Sequence, residues 1–102
     1  MKESERIRNK YPNRIPIIVK KKKDSKLPDI DKSKFLVHED MIINQFIYII
    51  RKKINLKPNE AIFVTINNQI CMSNQSISEI YEKHKNDDGF LYIIYSSENT
   101  FG

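Results

Sequence analysis

These 102 residues predict an α+β fold, a mixed sheet crossed on one face by a helix. Three observations carry that prediction. The character of the apolar residues changes along the chain, β-branched and dense in 14–20, a short apolar run in 34–38, helical in period in 41–54, and dense runs again in 61–67 and 90–96. The composition, 39% hydrophobic and 30% charged with only 2 Gly and 4 Pro, suits one modest packed core and excludes collagen-like and disordered low-complexity classes. No stretch resembles a secretory signal, and the longest apolar run, Met41–Ile50, is interrupted by Asn44 and Gln45 and falls short of the roughly 20 residues a spanning helix needs.

Each element has its own signature. Glu3–Lys10 forms about two helical turns and stops at Tyr11-Pro12, because the proline ring disfavours a helical residue before it. Arg14–Lys20 reads as a strand that presents Ile15, Ile17 and Val19 on one face, and Lys34–His38 as a second strand pairing with it in an antiparallel hairpin. Met41–Ile54 is the strongest helix, with Glu39-Asp40 before its start and Arg51-Lys52-Lys53 at its end, matching the helix dipole. A turn at 56–60 leads to a strand over Ala61–Asn67, a helix over Ser76–Lys85 and a last strand over Phe90–Ser96. The order β-β-α-β-α-β predicts the ubiquitin-like β-grasp: a four-stranded mixed sheet, a crossing helix, and a short N-terminal helix in addition. The expected organisation is a short N-terminal helical segment in 1–13, the ubiquitin-like domain in 14–96 and a flexible tail ending in glycine in 97–102.

Two apolar faces exceed what such a core requires. Ile43, Ile47, Ile50 and Ile54 form one stripe suited to a sheet, while Ile42, Phe46 and Ile49 form a second about 100° round the helix, ending at Lys53. The second stripe either lines a groove or packs into the core, and spacing does not separate the two. On the first strand Pro16 and Ile18 face away from Ile15, Ile17 and Val19, and with Ile7, Leu36 and Phe90 they outline a further apolar pocket or a satellite cluster under the short helix. An exposed edge at the second strand, flanked by Lys32 and Lys34, suits an added peptide strand with acidic residues.

Charge is uneven. Residues 1–34 carry 12 Lys/Arg against 5 Asp/Glu, and residues 35–102 carry 6 against 8. The run Lys20–Lys23 reads as a solvated hairpin tip, and with Tyr11 the one aromatic among these basic residues, a specific nucleic-acid partner is not expected. Chemistry of its own is not expected either. Asp87-Asp88 lacks a nearby His, Cys71 lacks a basic neighbour that would make it a thiolate, and His38 and His84 are far apart in sequence. A catalytic site, a metal site and a cofactor are therefore all expected to be absent.

The chain resembles the autophagy ubiquitin-like modifiers of the GABARAP type from about Glu5 onward. The resemblance rests on Arg6–Val19, Asp31–Val37, Asn44-Gln45-Phe46 with Ile50–Ile54, Asn67-Asn68, and Gly89–Tyr95 leading to Phe101-Gly102. It implies a non-enzyme that is conjugated through Gly102 to phosphatidylethanolamine. Its expected partners are ubiquitin-activating-like and conjugating-like autophagy enzymes, a processing or deconjugating cysteine protease, and cargo receptors with aromatic-x-x-aliphatic motifs. The implied pocket for the aromatic side chain is Ile7, Pro16, Ile18, Lys34, Leu36 and Phe90; that for the aliphatic side chain is Phe35, Val37, Met41, Phe46, Ile49 and Lys53. The implied location is cytoplasmic, and the autophagosome membrane after lipidation.

The chain departs from the family pattern at three places. It has the later of two N-terminal helices; Cys71-Met72 stands where a proline-containing turn is usual, as His38 stands for a usual proline; and it ends at Gly102, where most members carry further residues that a cysteine protease removes. An unconjugated β-grasp binding module is the alternative reading, with a basic nucleic-acid-binding domain behind it.

Overall fold

The structure is a computed structural model, described here for residues 2–70 and 74–97. Its elements are α1 (Glu3–Lys10), β1 (Arg14–Lys21), β2 (Lys34–His38), α2 (Ile43–Lys53), β3 (Phe63–Ile66), β4 (Gln69–Ile70), α3 (Ile77–His84) and β5 (Leu91–Ser96). The strands lie in the order β2-β1-β5-β3-β4. The central pair, β1 and β5, is parallel, with Ile17 opposite Leu91, and all other pairs are antiparallel. Parallel neighbours need a crossover, which the intervening helices supply.

The core forms where the alternation of β1, β2 and β5 meets α2. Ile15, Ile17, Val19, Phe35, Val37, Leu91, Ile93 and Tyr95 are buried on one face of the sheet against Ile43, Phe46, Ile50 and Ile54. The spacing of these four helical residues is three, four and four, so the buried line passes between the two stripes expected from sequence. Phe46 takes the core place expected for Ile47, with its ring edge-on to Phe35 at 5.4 Å between centroids, and Ile47 is half-buried. Aromatic bulk explains the rotation: Phe buries more apolar area than Ile when the same turn of helix meets the sheet.

Two further expectations change. The sheet has five strands, because Asn67-Asn68, with φ of 52° and 64°, closes a two-residue hairpin that sets Gln69 opposite Ile66. The run Lys20–Lys23 is only partly a tip. β1 continues through Lys21, the Lys22 N–H donates to the Tyr95 carbonyl at 2.8 Å, and the chain turns at Lys22–Ser25.

The helix ends follow local chemistry. Ser76 Oγ accepts the Glu79 N–H at 3.2 Å and caps α3. At α2 the residue before the helix is Ile42, which has no polar side chain, so Gln45 Oε1 reaches back to accept the Ile42 N–H at 3.0 Å. A two-residue bridge, Ile43 N–H to Gln75 O and Ile77 N–H to Met41 O, fastens the starts of α2 and α3 together.

Candidate peptide-binding surface

β2 lies at one edge of the sheet, and both groups of pocket residues border it. In the β1–β2 register Pro16 is opposite Leu36 and Ile18 opposite Lys34. Alternation therefore puts these four on the face away from the core, the face on which α1 packs against β1. Phe90 immediately precedes Leu91 at the start of β5. Pro16 and Phe90 are buried, Ile7 and Ile18 half-buried, Lys34 exposed and Leu36 37% exposed. Buried, half-buried and exposed residues thus stand together in this set.

Charge sits at the same rim. The Lys34 ammonium lies 2.8 Å from Glu3 Oε1 and 3.2 Å from Oε2, and 5.9 Å from the centre of the Phe90 ring. The ion pair links α1 to the edge strand in water-exposed surroundings, where such a pair contributes less than about 1 kcal/mol. Lys32 lies 5.2 Å from the Phe35 ring centre. Two ammonium groups thus flank the β2 edge.

The second group is layered. Phe35, Val37 and Phe46 are buried core residues, Met41 and Ile49 are half-buried against them, and Lys53 is exposed. Of this group Met41, Ile49 and Lys53 are the members that reach the surface, while Phe35, Val37 and Phe46 belong to the core.

A contact that sequence reasoning missed holds α1 in place. Ser4 is buried, and its hydroxyl donates to the Asp88 carbonyl. Gly89 has φ +84°, and a Cβ built on it falls on the Ser4 side chain, within 2.8 Å of Ser4 Cβ. The turn is closed by Gly89 N–H to Asn86 O at 2.8 Å. Tyr81 of α3 adds a bond from its hydroxyl to Gly89 O at 2.7 Å, while Arg8 and Lys85 lie 5.6 and 5.1 Å from its ring centre. Burial holds the Tyr81 hydroxyl above its usual pKa. A lone buried serine in a polar helix has no periodic signal by which to find it.

In the Asp87-Asp88 pair it is the Asp88 carboxylate that has a structural role. Asp88 Oδ1 accepts the Phe90 N–H at 3.0 Å and Oδ2 accepts the Tyr92 hydroxyl at 2.6 Å. The Tyr92 bond is the main reason the carboxyl is held below its ordinary value, and the same bond pushes the Tyr92 hydroxyl up. Among the described residues, no three His, Cys, Asp or Glu side chains gather as metal ligands, and no helix is long and apolar enough to cross a membrane. His38 Nδ1 accepts the Asp40 N–H at 3.2 Å, and His84 Nδ1 lies 3.1 Å from Asn67 Nδ2. Gly102 and Cys71-Met72 lie outside the described residues.

A family model for the autophagy protein Atg8, ubiquitin like, matches residues 1–102. The chain belongs to the Atg8 family. It is 54% identical over 102 residues to Autophagy-related protein 8a of Arabidopsis thaliana, covering 100% of this chain and 84% of that one. It is 51% identical over 100 residues to Autophagy-related protein 8 of Mycosarcoma maydis, covering 98% and 85%. Among solved structures, Trypanosoma brucei ATG8 superposes with a TM-score of 0.89 at 39% identity, covering 98% of this chain and 86% of that one. Plasmodium falciparum Atg8, in complex with a Plasmodium falciparum Atg3 peptide, superposes with a TM-score of 0.87 at 37% identity, covering 95% and 86%. The β-grasp expectation therefore holds, and Atg8 proteins are autophagy ubiquitin-like modifiers.

Proposed function

We propose that this Atg8 chain is a lipid-conjugated adaptor: Gly102 is joined to phosphatidylethanolamine, and the β2 edge recruits cargo receptors and conjugation enzymes through aromatic-x-x-aliphatic peptides. The observation that supports the reading is the juxtaposition at β2, an edge strand with Leu36 exposed on the α1 side of the sheet, Phe35 packed on Phe46 of α2 on the other, and Lys32 and Lys34 beside Phe35 and Phe90. An extended peptide adds to such an edge through main-chain hydrogen bonds. Its alternate side chains enter pockets to either side and its acidic residues meet the lysines. The peptide complex of the Plasmodium relative supports an Atg3-like partner for this chain. The resemblance adds a processing or deconjugating cysteine protease.

Conjugation proceeds by exchange of acyl bonds. The Gly102 carboxylate attacks the α-phosphate of ATP, giving an acyl adenylate and releasing diphosphate. A thiol of the activating enzyme displaces AMP to form a thioester, which passes to a thiol of the conjugating enzyme. The lipid amine then attacks the thioester carbonyl, forming an amide, and the thiol leaves with the proton. A glycine at the acyl position has no Cβ and wide φ/ψ freedom, which suits passage through successive enzyme clefts. The lipid brings two acyl chains, and at about 0.8 kcal/mol per buried CH₂ that anchors a soluble domain stably, so the protein moves from cytoplasm to autophagosomal membrane.

The test is reconstitution with cognate activating and conjugating enzymes, ATP and phosphatidylethanolamine liposomes. The parent chain is expected to yield a membrane-bound, faster-migrating species, and a chain lacking Gly102 none. Equal lipidation of both, or a parent that never charges the activating enzyme, leaves the unconjugated binding module as the reading.

A further inference from the structure

We propose that Ser25 is a positioning residue for the C-terminal segment, fixing where the chain leaves the sheet and thereby how readily the tail is taken by the activating enzyme. The functional half of this rests on the conjugation reading above. Ladder bonding between β1 and β5 runs as far as Lys22, whose N–H donates to Tyr95 O at 2.8 Å. In a parallel pair the next rung is a bond from the Ser97 N–H back to the Lys22 carbonyl. That carbonyl instead accepts the Ser25 N–H at 3.0 Å, where the chain turns away from β5. The Ser97 N–H goes instead to Ser25 Oγ, at 3.2 Å. A side-chain oxygen thus continues the sheet one rung past the end of its neighbouring strand.

The oxygen is well placed for this. It also accepts the Leu27 N–H at 3.2 Å, which uses both acceptor positions of the hydroxyl, and its own proton points along the 3.5 Å contact to Ser97 Oγ. The loop carrying it is anchored on both sides. The Tyr95 hydroxyl donates to Pro28 O at 2.7 Å, the Lys21 ammonium pairs with Asp29 at 3.0 Å, and the Leu27 side chain is buried in the core. Ser25 is therefore held by β5 and the core, and in turn it holds the first residue after β5. With Ser97 held, the chain leaves β5 from a defined point, and an enzyme that takes up the following segment finds Ser97 already placed.

The experiment compares the parent, Ser25→Ala and Ser25→Thr in the full chain. Ser25→Ala removes the acceptor, whereas Ser25→Thr keeps it. Amide hydrogen exchange at Ser97 is expected to speed up about tenfold in Ser25→Ala while Ile93 in mid-strand is unchanged, and to remain near the parent rate in Ser25→Thr. In thioester charging with ATP, Ser25→Ala is expected to raise KM for this chain about fivefold at unchanged kcat, the factor supplied by one residue's ordering entropy; Ser25→Thr is expected to restore it. Unchanged exchange at Ser97, or an unchanged KM in Ser25→Ala with a parent that charges normally, overturns the proposal alone. A threonine variant as impaired as the alanine one also overturns it, since the hydroxyl then does not matter. A parent that is never charged overturns the conjugation reading, and the role of Ser25 in it.

Discussion

Lys34 on β2 and Glu3 on α1 meet at 2.8 Å beside the Phe90 ring, so the cation best placed to greet an acidic ligand is already engaged by a carboxylate of its own chain. A ligand that uses Lys34 must compete with Glu3. Glu3→Gln is therefore expected to tighten binding of an acidic aromatic-x-x-aliphatic peptide a few-fold from a micromolar baseline near −8 kcal/mol, and Lys34→Ala to weaken it. Calorimetry at low and high salt checks this, because the gain should shrink as screening shortens the reach of exposed charges to about 8 Å or less. Equal affinity for parent and Glu3→Gln removes the competition.

Phe46 and Ile18 should respond in opposite ways. Phe46 has 0% exposure and supports Phe35, so Phe46→Ala is expected to cost about 3–5 kcal/mol of stability. Ile18 is half-buried on the α1 side of the sheet, so Ile18→Asp is expected to abolish peptide binding at a smaller cost. Denaturant unfolding and peptide titration on both variants measure this, and an intact midpoint in Phe46→Ala contradicts the burial.

Gly89 is expected to tolerate no side chain. A methyl group there meets Ser4 while the backbone sits at φ +84°, a region that costs a non-glycine residue on the order of 1–3 kcal/mol. Gly89→Ala should lower the midpoint of thermal unfolding and displace α1, seen as amide shift changes across Glu3–Lys10. Chemical shifts of α1 matching the parent's contradict the contact.

The Asp88–Tyr92 bond makes stability depend on pH at both extremes. Asp88 titrates below its ordinary 3.8 in the fold, so its contribution is present above that value and is lost as pH falls through the folded pKa. Tyr92 titrates above 10.0, so its contribution is present below 10 and is lost as pH rises past it. Asp88→Asn is expected to cost about 1 kcal/mol near neutral pH, a charged hydrogen bond discounted for its exposure, and to flatten the acid limb. The alkaline limb should persist in part, because burial also raises Tyr81 and Tyr95.

The basic run should act weakly at membranes. Lys21 is paired with Asp29, and Lys20 lies 5.7 Å from the Tyr92 ring centre. Replacing Lys20–Lys23 with Gln is expected to lower association with anionic liposomes slightly and to reduce its salt dependence, measured by flotation. An unchanged salt dependence takes the run out of the account.

Four of the five strands, the helices and the antiparallel pairing of β1 with β2 were legible in the sequence because each buries a periodic face. Ile15, Ile17 and Val19 alternate against a helix, and the fold leaves little other place for them. What had no period was hidden. β4 is two residues long, and its hairpin depends on two asparagines adopting positive φ. Phe46 belonged to one stripe by spacing and to the core by bulk. Ser4 and Ser25 are single polar residues whose partners are more than 70 positions away, and no local pattern encodes such a meeting. The pocket residues were named through resemblance, and composition supplied only the surplus of apolar faces.

The parallel pairing of β1 with β5 also bears on how this molecule is made. The centre of the sheet joins two segments more than 70 positions apart in the chain, Ile17 lying opposite Leu91. Until Leu91–Ser96 has been translated, Ile15, Ile17 and Val19 lack the neighbour that completes their layer, and the β1–β2 hairpin is only marginally stable by itself. Closing so long a loop is slow compared with forming local contacts. Completion of the sheet therefore waits on β5, and until that strand is made the isoleucines of β1 stay open to chaperones.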